Sequence, residues 1–246
     1  MTMQTDIIIQ ARIGSSRLPG KTMLSLAWKE ELWHVIERCK KVQNARNIIV
    51  ATTNDPKDDI IERFCKKHNF LYYRWDENNV LKRYYETAKQ YWSDVVVRIT
   101  SDCPFIDPDI ITSSIDIFHN SDNVQYISNC LERVFPRWLD CEVFSFLALK
   151  DAYENAIDMS DLEHVTPYIV RNSNIKAFVV DDEFQWDFRI TLDQIEDYQL
   201  ISYLYDTFYK YNEIINVKDV IIHLKQNQVI ANINKWVEQK KYLTNF

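Results

Sequence analysis

The chain has 246 residues, of which 46% are hydrophobic and 26% are charged, a balance that suits one large globular domain. Its net charge of −7 argues against a general nucleic-acid binder. No apolar run approaches the length of a membrane span, the first apolar run is too short for a signal peptide, and the five cysteines show no C-x-x-C spacing. We therefore expect a cytoplasmic protein with reduced cysteines and with no membrane or nucleic-acid partner.

The first 120 residues alternate strand patterns with helix patterns. Continuous apolar runs predict strands at residues 6–11, 47–52, 70–73 and 94–100, and amphipathic segments between them predict helices at 30–42, 57–69 and 80–92. The alternation predicts an α/β fold with a mostly parallel sheet flanked by helices. Because ligands bind beyond the carboxyl ends of such strands, we expect the loops at 12–21, 52–56 and 101–107 to meet at one edge of the sheet.

The pattern changes after residue 120. Strands are predicted at 124–128, 133–144 and 175–180, and helices at 146–157 and 162–171. A strand at 186–191 then leads into a helix at 195–209, and the chain from residue 217 is predicted to be helical. We expect residues 124–186 to form a mixed α+β excursion that carries specificity or a dimer interface, within a single domain that spans residues 1–246.

Both glycines of the chain, Gly14 and Gly20, fall in the loop that follows the first predicted strand. The same loop carries Arg12, Arg17 and Lys21, and no acidic residue occurs from residue 7 to residue 29. Glycine permits positive φ and close approach of the backbone to a ligand, and fixed cations beside backbone N–H groups bind phosphate. The alternative is a strand-to-helix turn whose basic residues are merely solvated. In an acidic, glycine-poor chain, the loop favours a phosphate-binding enzyme that uses a nucleotide.

Residues 15–22, S-S-R-L-P-G-K-T, nearly match the phosphate-binding loop of P-loop kinases, G-x-x-x-x-G-K-[ST]. Ser15 stands where the first glycine is required, and Gly14 lies one residue too early. Arg17 and Pro19 are also unusual within such a loop. A P-loop kinase is therefore a weaker alternative.

Two aspartates follow predicted strands and could bind Mg²⁺. Asp102 comes after strand 94–100 and Asp193 after strand 186–191, so both are expected at carboxyl ends of the sheet. Mg²⁺ takes few protein carboxylates and completes its shell with phosphate oxygens and water. Asp193 could equally cap the helix that follows it, and Asp107 before Pro108 fits a helix cap better than a metal ligand.

The segment I-I-Q-A-R-I-G-S-S-R-L-P-G-K, residues 8–21, resembles the signature of the cytidylyltransferase family that makes CMP-activated acidic sugars. Within that family it is most similar to the SpsF-like branch of spore-coat and surface polysaccharide synthesis. The similarity continues in family order through residues 50–55, 80–84, 97–107, 139–145, 163–168 and 189–193. The first segment and residues 97–107, V-R-I-T-S-D-C-P-F-I-D, are specific, and the others support them.

The resemblance implies a Rossmann-like nucleotidyltransferase fold, Mg²⁺ as the cofactor, CTP as the donor, and homodimers built through the excursion. It implies that Arg12, Arg17 and Lys21 act in catalysis by holding the triphosphate, and that Asp102 and Asp193 bind Mg²⁺. Nucleotide-binding positions are implied at Gln10, Ala11, Gly14, Ser15, Thr52, Arg83 and Ser101. Contacts with the acceptor, or between subunits, are implied at Asp140, Glu142, Glu163 and His164. From the residues alone, a single histidine beside a glutamate is more often structural than catalytic.

The expected activity is transfer of CMP from CTP to an acidic sugar or a similar anionic acceptor, with release of pyrophosphate, for surface polysaccharide or glycan biosynthesis. The chain departs from the family pattern at Trp138, at Leu162 and in residues 75–79, all away from the phosphate and metal positions. One alternative is a nucleotidyltransferase of the same fold that uses another NTP and a sugar phosphate. A second is a non-catalytic nucleotide-binding protein.

Overall fold

The computed structural model describes residues 3–131, 138–178, 188–211 and 213–238, and all elements named here lie in these ranges. The strands are β1 (Thr5–Gln10), β2 (Ser25–Leu26), β3 (Lys29–Glu30), β4 (Asn47–Thr53), β5 (Leu71–Trp75), β6 (Val95–Thr100), β7 (Tyr126–Ser128), β8 (Glu142–Ser145) and β9 (Ile175–Ala177). The helices are α1 (Glu31–Cys39), α2 (Asp59–His68), α3 (Val80–Gln90), α4 (Pro108–His119), α5 (Phe146–Asn155), α6 (Met159–His164), α7 (Pro167–Asn172), α8 (Ile195–Phe208), α9 (Val217–Gln226) and α10 (Gln228–Ala231).

Seven strands form one sheet in the order β5-β4-β1-β6-β8-β7-β9. β1 pairs in parallel with β4 and β6, and β4 pairs in parallel with β5. Among the described strands of this sheet, β8 alone runs against its neighbours, β6 and β7, while β9 is parallel to β7. The carboxyl ends of β1, β4 and β6 therefore lie at one edge, as the sequence pattern predicted.

Both faces of the sheet are buried, which explains the continuous apolar runs. Ile7 and Ile9 of β1 pack in one hydrophobic cluster with residues of α1, α2, α4, α8 and α9, whereas Ile8 packs in a second cluster with residues of α3, α5 and α7. Because successive side chains of a strand point to opposite faces, a strand covered on both sides needs apolar residues at each position. None of the described helices is long and apolar enough to cross a membrane.

The predicted α/β architecture with a mostly parallel sheet is confirmed, but several predictions after residue 120 were wrong in detail. The helix predicted at 162–171 is two short helices, α6 and α7, separated at residues 165–166. Within the strand predicted at 133–144, residues 138–141 are not in a strand and β8 begins at residue 142, and residues 188–191 are not in a strand either. The strand predicted at 175–180 ends at residue 177. Residues 133–137, 179–180 and 186–187 of these ranges lie outside the described residues.

Candidate active site

The loop after β1 is anchored to the end of the neighbouring strand β4. The N–H of Ile13 donates to the buried carboxylate of Asp58 at 2.7 Å, and Asp58 also accepts from the hydroxyl of Thr53. The N–H of Gly20 donates to the carbonyl of Ile13 at 3.0 Å, which closes the loop on itself. Asp58 therefore positions the cationic loop at the predicted sheet edge, a role that the sequence analysis missed.

The loop does not lead directly into a helix. Gly20 has a φ of +74°, which favours glycine, and it begins a 3-10 turn over Lys21–Met23. The hairpin of β2 and β3 follows, and α1 starts only at Glu31. A P-loop passes straight into the helix whose N-terminus binds phosphate. The P-loop kinase alternative is therefore wrong, and any anion at this loop must be bound by side chains and loop N–H groups.

Lys21 joins the two predicted metal ligands. Its ammonium group donates to Asp102 Oδ2 at 2.9 Å and to Asp193 Oδ1 at 2.7 Å. Arg17 lies 2.9 Å and Arg189 lies 3.1 Å from Asp193 Oδ2. These five residues, which we call the ionic centre, come from the loop after β1, the end of β6 and the segment before α8. The structure thus brings together Arg17, Lys21 and both aspartates, whereas Arg12, predicted to act with them, lies against Glu77 instead.

Lys21 and Asp102 stabilise each other's charged forms. Burial opposes the charged form of Lys21, but Asp102 and Asp193 raise the pKa of its ammonium group above the ordinary value. Burial also acts to raise the pKa of Asp102, yet Lys21 and the hydroxyl of Thr100, 2.6 Å away, lower that pKa to about 2. Lys21 and Asp102 are therefore kept charged by their partners, in a partly buried setting where opposite charges attract strongly.

The two carboxylates suit a divalent cation. One ammonium group contacts both of them, so a single cation can lie between Asp102 and Asp193, and Lys21 stands in for it here. Carboxylate oxygens are ligands that Mg²⁺ prefers, and its remaining positions are filled by phosphate oxygens and water. The described residues contain no group of three or more His, Cys, Asp or Glu side chains that could hold a metal ion. A metal bound here would therefore depend on the substrate for part of its shell.

The helix-cap alternative for Asp193 is wrong. The N-cap of α8 is Gln194, in a capping box with Asp197. The fully buried Asp197 accepts the N–H groups of Asp193 and Gln194, each at 3.0 Å, so it shapes the backbone that presents Asp193. Asp107, by contrast, caps α4 as predicted, since its side chain accepts two N–H groups of the first turn.

Three predicted nucleotide-binding residues bury polar atoms that have no hydrogen-bond partner in the described parts of the chain. They are Gln10 through Oε1, Thr52 through its hydroxyl, and Arg83 through its whole guanidinium group, and we call them the unpartnered trio. Arg83 is fully buried, and burial lowers the pKa of its guanidinium group. Its helix, α3, packs against β1 and β4, which carry the other two. Because such atoms cost free energy until they are satisfied, they indicate where a polar ligand binds.

The remaining predicted nucleotide-binding residues shape the backbone around the loop. Ala11 extends the pairing of β1 with β4 through its N–H, and the Ser15 hydroxyl accepts a loop N–H at 3.3 Å. Ser101, just after β6, donates its N–H to β1, and its hydroxyl lies 3.2 Å from that of Thr22. Gly14 lies against two charged side chains of the neighbouring loops. These residues therefore hold the ends of three strands together.

Glu142 is buried and is hydrogen-bonded to three neighbouring side chains. Its carboxylate accepts from Arg98, from the Tyr126 hydroxyl at 2.7 Å and from the Thr166 hydroxyl at 2.6 Å. Burial acts to raise its pKa, but Arg98 and the two hydroxyls bring the pKa below the ordinary value. Glu142 thus links β6, β7 and β8 with the junction of α6 and α7. Its implied contact with the acceptor stays a prediction.

The other three implied acceptor residues lie in two places. The Asn129 side chain bonds the backbone on both sides of Asp140, at 2.7 and 2.8 Å, just before β8. Glu163 and His164 end helix α6, which packs against α3, the helix that carries Arg83. The structure places these residues on the excursion, and their roles stay predictions.

A strained turn follows His164. The N–H of Thr166 donates to the carbonyl of His164 at 2.8 Å, and Val165 between them has φ of +72° and ψ of −53°. Such a γ-turn is rare, and positive φ is an outlier for a β-branched residue. Val165 is fully buried and Thr166 is held by Glu142, so the surroundings enforce the turn. Strain of this kind clusters at binding sites, which supports a functional place for this junction.

A buried acid near the ionic centre escaped the sequence analysis. Glu31, the first residue of α1, is fully buried, and neither carboxylate oxygen has a hydrogen-bond partner in the described chain. Burial raises the pKa of Glu31 well above its ordinary value, Asp102 raises it further, and Lys21 acts to lower it. Nothing in the local pattern K-E-E-L distinguishes this glutamate from its exposed counterparts, so no sequence signal could have found it.

Comparison with known proteins adds independent findings. The profile of a family described as cytidylyltransferase matches residues 7–243. The spore coat polysaccharide biosynthesis protein SpsF of Bacillus subtilis (strain 168) is 32% identical over 212 residues, which cover 80% of this chain and 85% of SpsF.

Two solved structures extend the comparison. A cytidylyltransferase of Leptospira borgpetersenii serovar Hardjo-bovis matches with a TM-score of 0.86 and 31% identity, over 98% of this chain and 100% of that one. A CMP:2-keto-3-deoxy-manno-octonic acid synthetase, solved in complex with CTP, shares the fold with a TM-score of 0.65 and 17% identity, over 83% of this chain and 99% of its own. The predicted nucleotidyltransferase fold is thereby confirmed.

Proposed function

The chain belongs to the cytidylyltransferase family and is a nucleotidyltransferase, and we propose that it transfers CMP from CTP to an acidic sugar or a similar anionic acceptor. Pyrophosphate is the second product. The activated acceptor then serves the synthesis of a surface polysaccharide or glycan.

The observation that carries the proposal is the presence of two chemically different groups of residues at one edge of the sheet. The ionic centre offers fixed positive charge from Lys21 and Arg17, which suits a triphosphate. The unpartnered trio offers buried donors and acceptors, which suit the base and sugar of a nucleoside. A nucleotide carries both kinds of group in one molecule.

In the proposed reaction, an anionic oxygen of the acceptor attacks the α-phosphorus of CTP. The new P–O bond joins CMP to the acceptor, and the bond to the departing pyrophosphate breaks. Lys21 and Arg17 bind phosphate oxygens and offset the charge that develops on pyrophosphate, and Arg12 helps to hold the phosphates. The protein accelerates the reaction by positioning the reactants and by neutralising charge.

Mg²⁺ is part of the proposal, held by Asp102 and Asp193. When bound, the metal supplies positive charge to the phosphate oxygens and orients them. If Asp102 and Asp193 held the metal, Lys21 would be released from them and its ammonium group could bind phosphate oxygens. The long side chain of lysine, with a point charge at its end, suits such an exchange of partners.

Two relatives support the choice of donor and pathway. SpsF is described as a spore coat polysaccharide biosynthesis protein, and the related synthetase for CMP:2-keto-3-deoxy-manno-octonic acid was solved with CTP. An acidic sugar as the acceptor and CTP as the donor for this chain follow that chemistry.

A homodimer built through residues 124–186 is also proposed. Leu147, Ile157 and Met159 are large apolar residues of this excursion whose exposed fractions are 71%, 87% and 74%. Exposed apolar side chains that share one segment favour a protein interface. Size-exclusion chromatography with light scattering should give a dimer for wild type and a monomer for Leu147→Asp combined with Met159→Asp. A monomeric wild type would contradict the proposal.

The cytoplasmic location stays a prediction.

The first test is thermal-shift titration with CTP, UTP, GTP and ATP, each with and without Mg²⁺. A ligand that binds only the folded state raises the melting temperature by mass action. We expect a Mg²⁺-dependent shift that is selective for CTP and weakened in Asp102→Asn. A larger shift with another NTP would identify that nucleotide as the donor in place of CTP. The absence of a shift with all four nucleotides would contradict the proposed activity.

Pyrophosphate release with a panel of acidic sugars tests the chemical step. Asp102→Asn should lower turnover by about 10²–10³-fold, the loss that follows removal of one group that stabilises charge in a transition state. Asp107→Asn is the matched control, because asparagine caps a helix as well as aspartate does. Near-normal turnover in Asp102→Asn would remove that residue from the metal site.

A further inference from the structure

A carboxylate lies over the cationic loop. Both oxygens of Glu77 accept from Lys57 Nζ at 2.7 Å, and Glu77 Oε1 lies 3.7 Å from a guanidinium nitrogen of Arg12. Arg12 follows β1, Lys57 follows β4 and Glu77 follows β5. The three charged residues therefore follow three neighbouring strands and meet at the same edge of the sheet. Glu77 belongs to residues 75–79, where the sequence departs from the family pattern.

Gly14 is what allows this arrangement to rest on the loop. A Cβ atom at Gly14 would lie 3.1 Å from Glu77 Oε1 and 3.1 Å from Lys57 Nζ, closer than such contacts normally are. The charged groups therefore occupy the space that a side chain at position 14 would fill. A glycine that leaves room for charged groups also lets a phosphate approach the backbone.

Several charged side chains surround Glu77. Arg12 and Lys57 contact Glu77, and Lys57 also lies 3.3 Å from Asp55. The buried Arg83 has no hydrogen-bond partner in the described chain. Arg12 and Lys57 are thus the two cations in contact with Glu77, and Glu77 is the carboxylate that both of them contact.

We propose that Glu77 holds the place of a nucleotide phosphate, and that Lys57 and Arg12 pass from Glu77 to that phosphate when the nucleotide binds. Lys57 is then an additional phosphate-binding residue. Glu77 competes with the phosphate for Lys57 and Arg12, and it thereby lowers the affinity for the triphosphate. This inference rests on the proposed function, because it concerns the same site.

The ion pairs are weak enough to exchange. The side chains of Arg12, Lys57 and Glu77 are 40%, 37% and 26% exposed, so solvent screens their attraction. A triphosphate brings more charge and more acceptor oxygens than one carboxylate, and charge-assisted bonds to it are the stronger ones. Displacement of Glu77 therefore costs little, and the affinity lost to competition is correspondingly modest.

A purely structural salt bridge makes the opposite prediction. If Glu77 only fastened three loops together, its removal would lower the melting temperature and would leave binding unchanged or weaker. If Glu77 competes with phosphate, its removal tightens binding, because Arg12 and Lys57 are already free of their internal anion. The direction of the change in affinity therefore separates the two roles.

The experiment is isothermal titration of the full chain with inorganic triphosphate and with CTP, at fixed Mg²⁺ concentration. We expect Glu77→Gln to tighten the Kd for both ligands by about three- to tenfold, the effect of removing one or two exposed ion pairs. Lys57→Met should weaken both by roughly tenfold or more, as expected for loss of a charge-assisted bond. Glu37→Gln is the control, since it removes the same charge from an exposed ion pair with Lys40 on α1.

Each outcome decides a different point. Binding that is unchanged or weaker in Glu77→Gln, or unchanged in Lys57→Met, overturns the inference. The proposed function stands in that case if wild type still binds CTP. If both variants behave as described but wild type binds CTP no more tightly than inorganic triphosphate, the inference stands and recognition of the nucleoside by the unpartnered trio is overturned. Wild type that binds neither ligand overturns both.

Discussion

The nucleotide side of the site and the excursion differ in how their buried polar groups are satisfied. On the nucleotide side, the unpartnered trio of Gln10, Thr52 and Arg83 buries polar atoms without partners in the described chain. On the excursion, Glu142 is bound by Arg98 and two hydroxyls, and the buried Asp161 is paired with Arg171 at 2.7 Å. The nucleotide side thus leaves several buried polar groups for a ligand, whereas the excursion satisfies these buried carboxylates within the fold, although Trp138 Nε1 has no partner in the described chain.

This difference separates residues that bind the ligand from residues that hold the fold in place. An unsatisfied buried group costs free energy, so it persists where binding recovers that cost. A buried charge with a complete set of partners contributes to the structure, and its loss leaves the partner uncompensated. We therefore expect changes on the nucleotide side to affect ligand binding, and changes in the Glu142 network to affect stability.

Glu142→Ala should have the largest effect. It leaves the Arg98 guanidinium buried without its carboxylate, which costs about 3–5 kcal/mol of unfolding free energy. Because partners lower the Glu142 pKa, its contribution is present above about pH 4.5 and is lost as the pH falls through the lowered value. Urea denaturation at pH 7.5 and at acid pH measures both effects, with the exposed Glu163→Ala as a control expected within about 0.5 kcal/mol of wild type.

The same variant also tests whether Glu142 binds the acceptor. If Glu142→Ala keeps wild-type stability but raises the KM for the acceptor, then Glu142 binds the acceptor as the family resemblance implies. The excursion would then hold ligand groups that are already satisfied by protein, and the distinction between the two regions would fail.

Arg83→Met tests the role of the buried polar groups on the nucleotide side. Replacing a buried, unpartnered guanidinium group with an apolar side chain should raise the unfolding free energy without ligand by about 1–3 kcal/mol. The same change should abolish most of the CTP-induced thermal shift. Arg38→Met is the matched control, because the buried Arg38 donates to the carbonyls of Ile106 and Ile215 and its loss should destabilise. A destabilised Arg83→Met that still binds CTP would make Arg83 a structural residue.

The sequence predicted those parts of the site that depend on short, continuous segments. The apolar runs of β1 and β6 placed the loop after residue 11 and Asp102 at the same edge, because parallel strands bring their carboxyl ends together. The resemblance then pointed to Arg83, which the structure shows to be buried and unpartnered.

What the sequence could not predict depends on side chains that meet across the chain. The contact of Lys57 with Glu77 joins two loops, and Asp58 supports the loop after β1 from 45 positions away. The γ-turn at Val165 goes against the preference of a β-branched residue and is enforced by packing. Local propensity carries no information about such tertiary contacts.

Glu31→Met tests whether the buried acid beside the ionic centre is a cost to the fold. Its pKa is raised in the folded state, so the stability that the protonated carboxyl contributes is full below about pH 4.5 and is lost as the pH rises through the raised value. We expect the variant to gain about 1–3 kcal/mol over wild type at pH 8, and less at pH 4.5. Urea denaturation at both values measures this gain, and Glu37→Met on the same helix should show no such growth with pH. A variant less stable than wild type at pH 8 would show that Glu31 is ionised and paired.

The smallest expected effect concerns the hairpin of β2 and β3, which lies outside both regions of the site. Its two central residues, Ala27 and Trp28, have φ of +43° and +61°, values that hairpin turns normally assign to glycine or asparagine. A left-handed backbone conformation costs an L-residue about 1–2 kcal/mol, and glycine avoids this cost. Glycine also increases the conformational entropy of the unfolded chain, so only part of the cost appears as a gain in stability when it replaces Trp28. Trp28 is 66% exposed and its ring meets Tyr209 edge-on, so little packing is lost on its removal.

Trp28→Gly should therefore raise the unfolding free energy by about 0.5–1 kcal/mol, measured by urea denaturation. Trp28→Ala separates the two contributions, because it removes the ring and keeps the Cβ atom that causes the strain. A loss of stability in both variants would mean that the contact of Trp28 with Tyr209 outweighs the strain. The hairpin would then be fastened by that ring to the end of α8, and the unfavourable backbone at residues 27–28 would be the cost of placing it there.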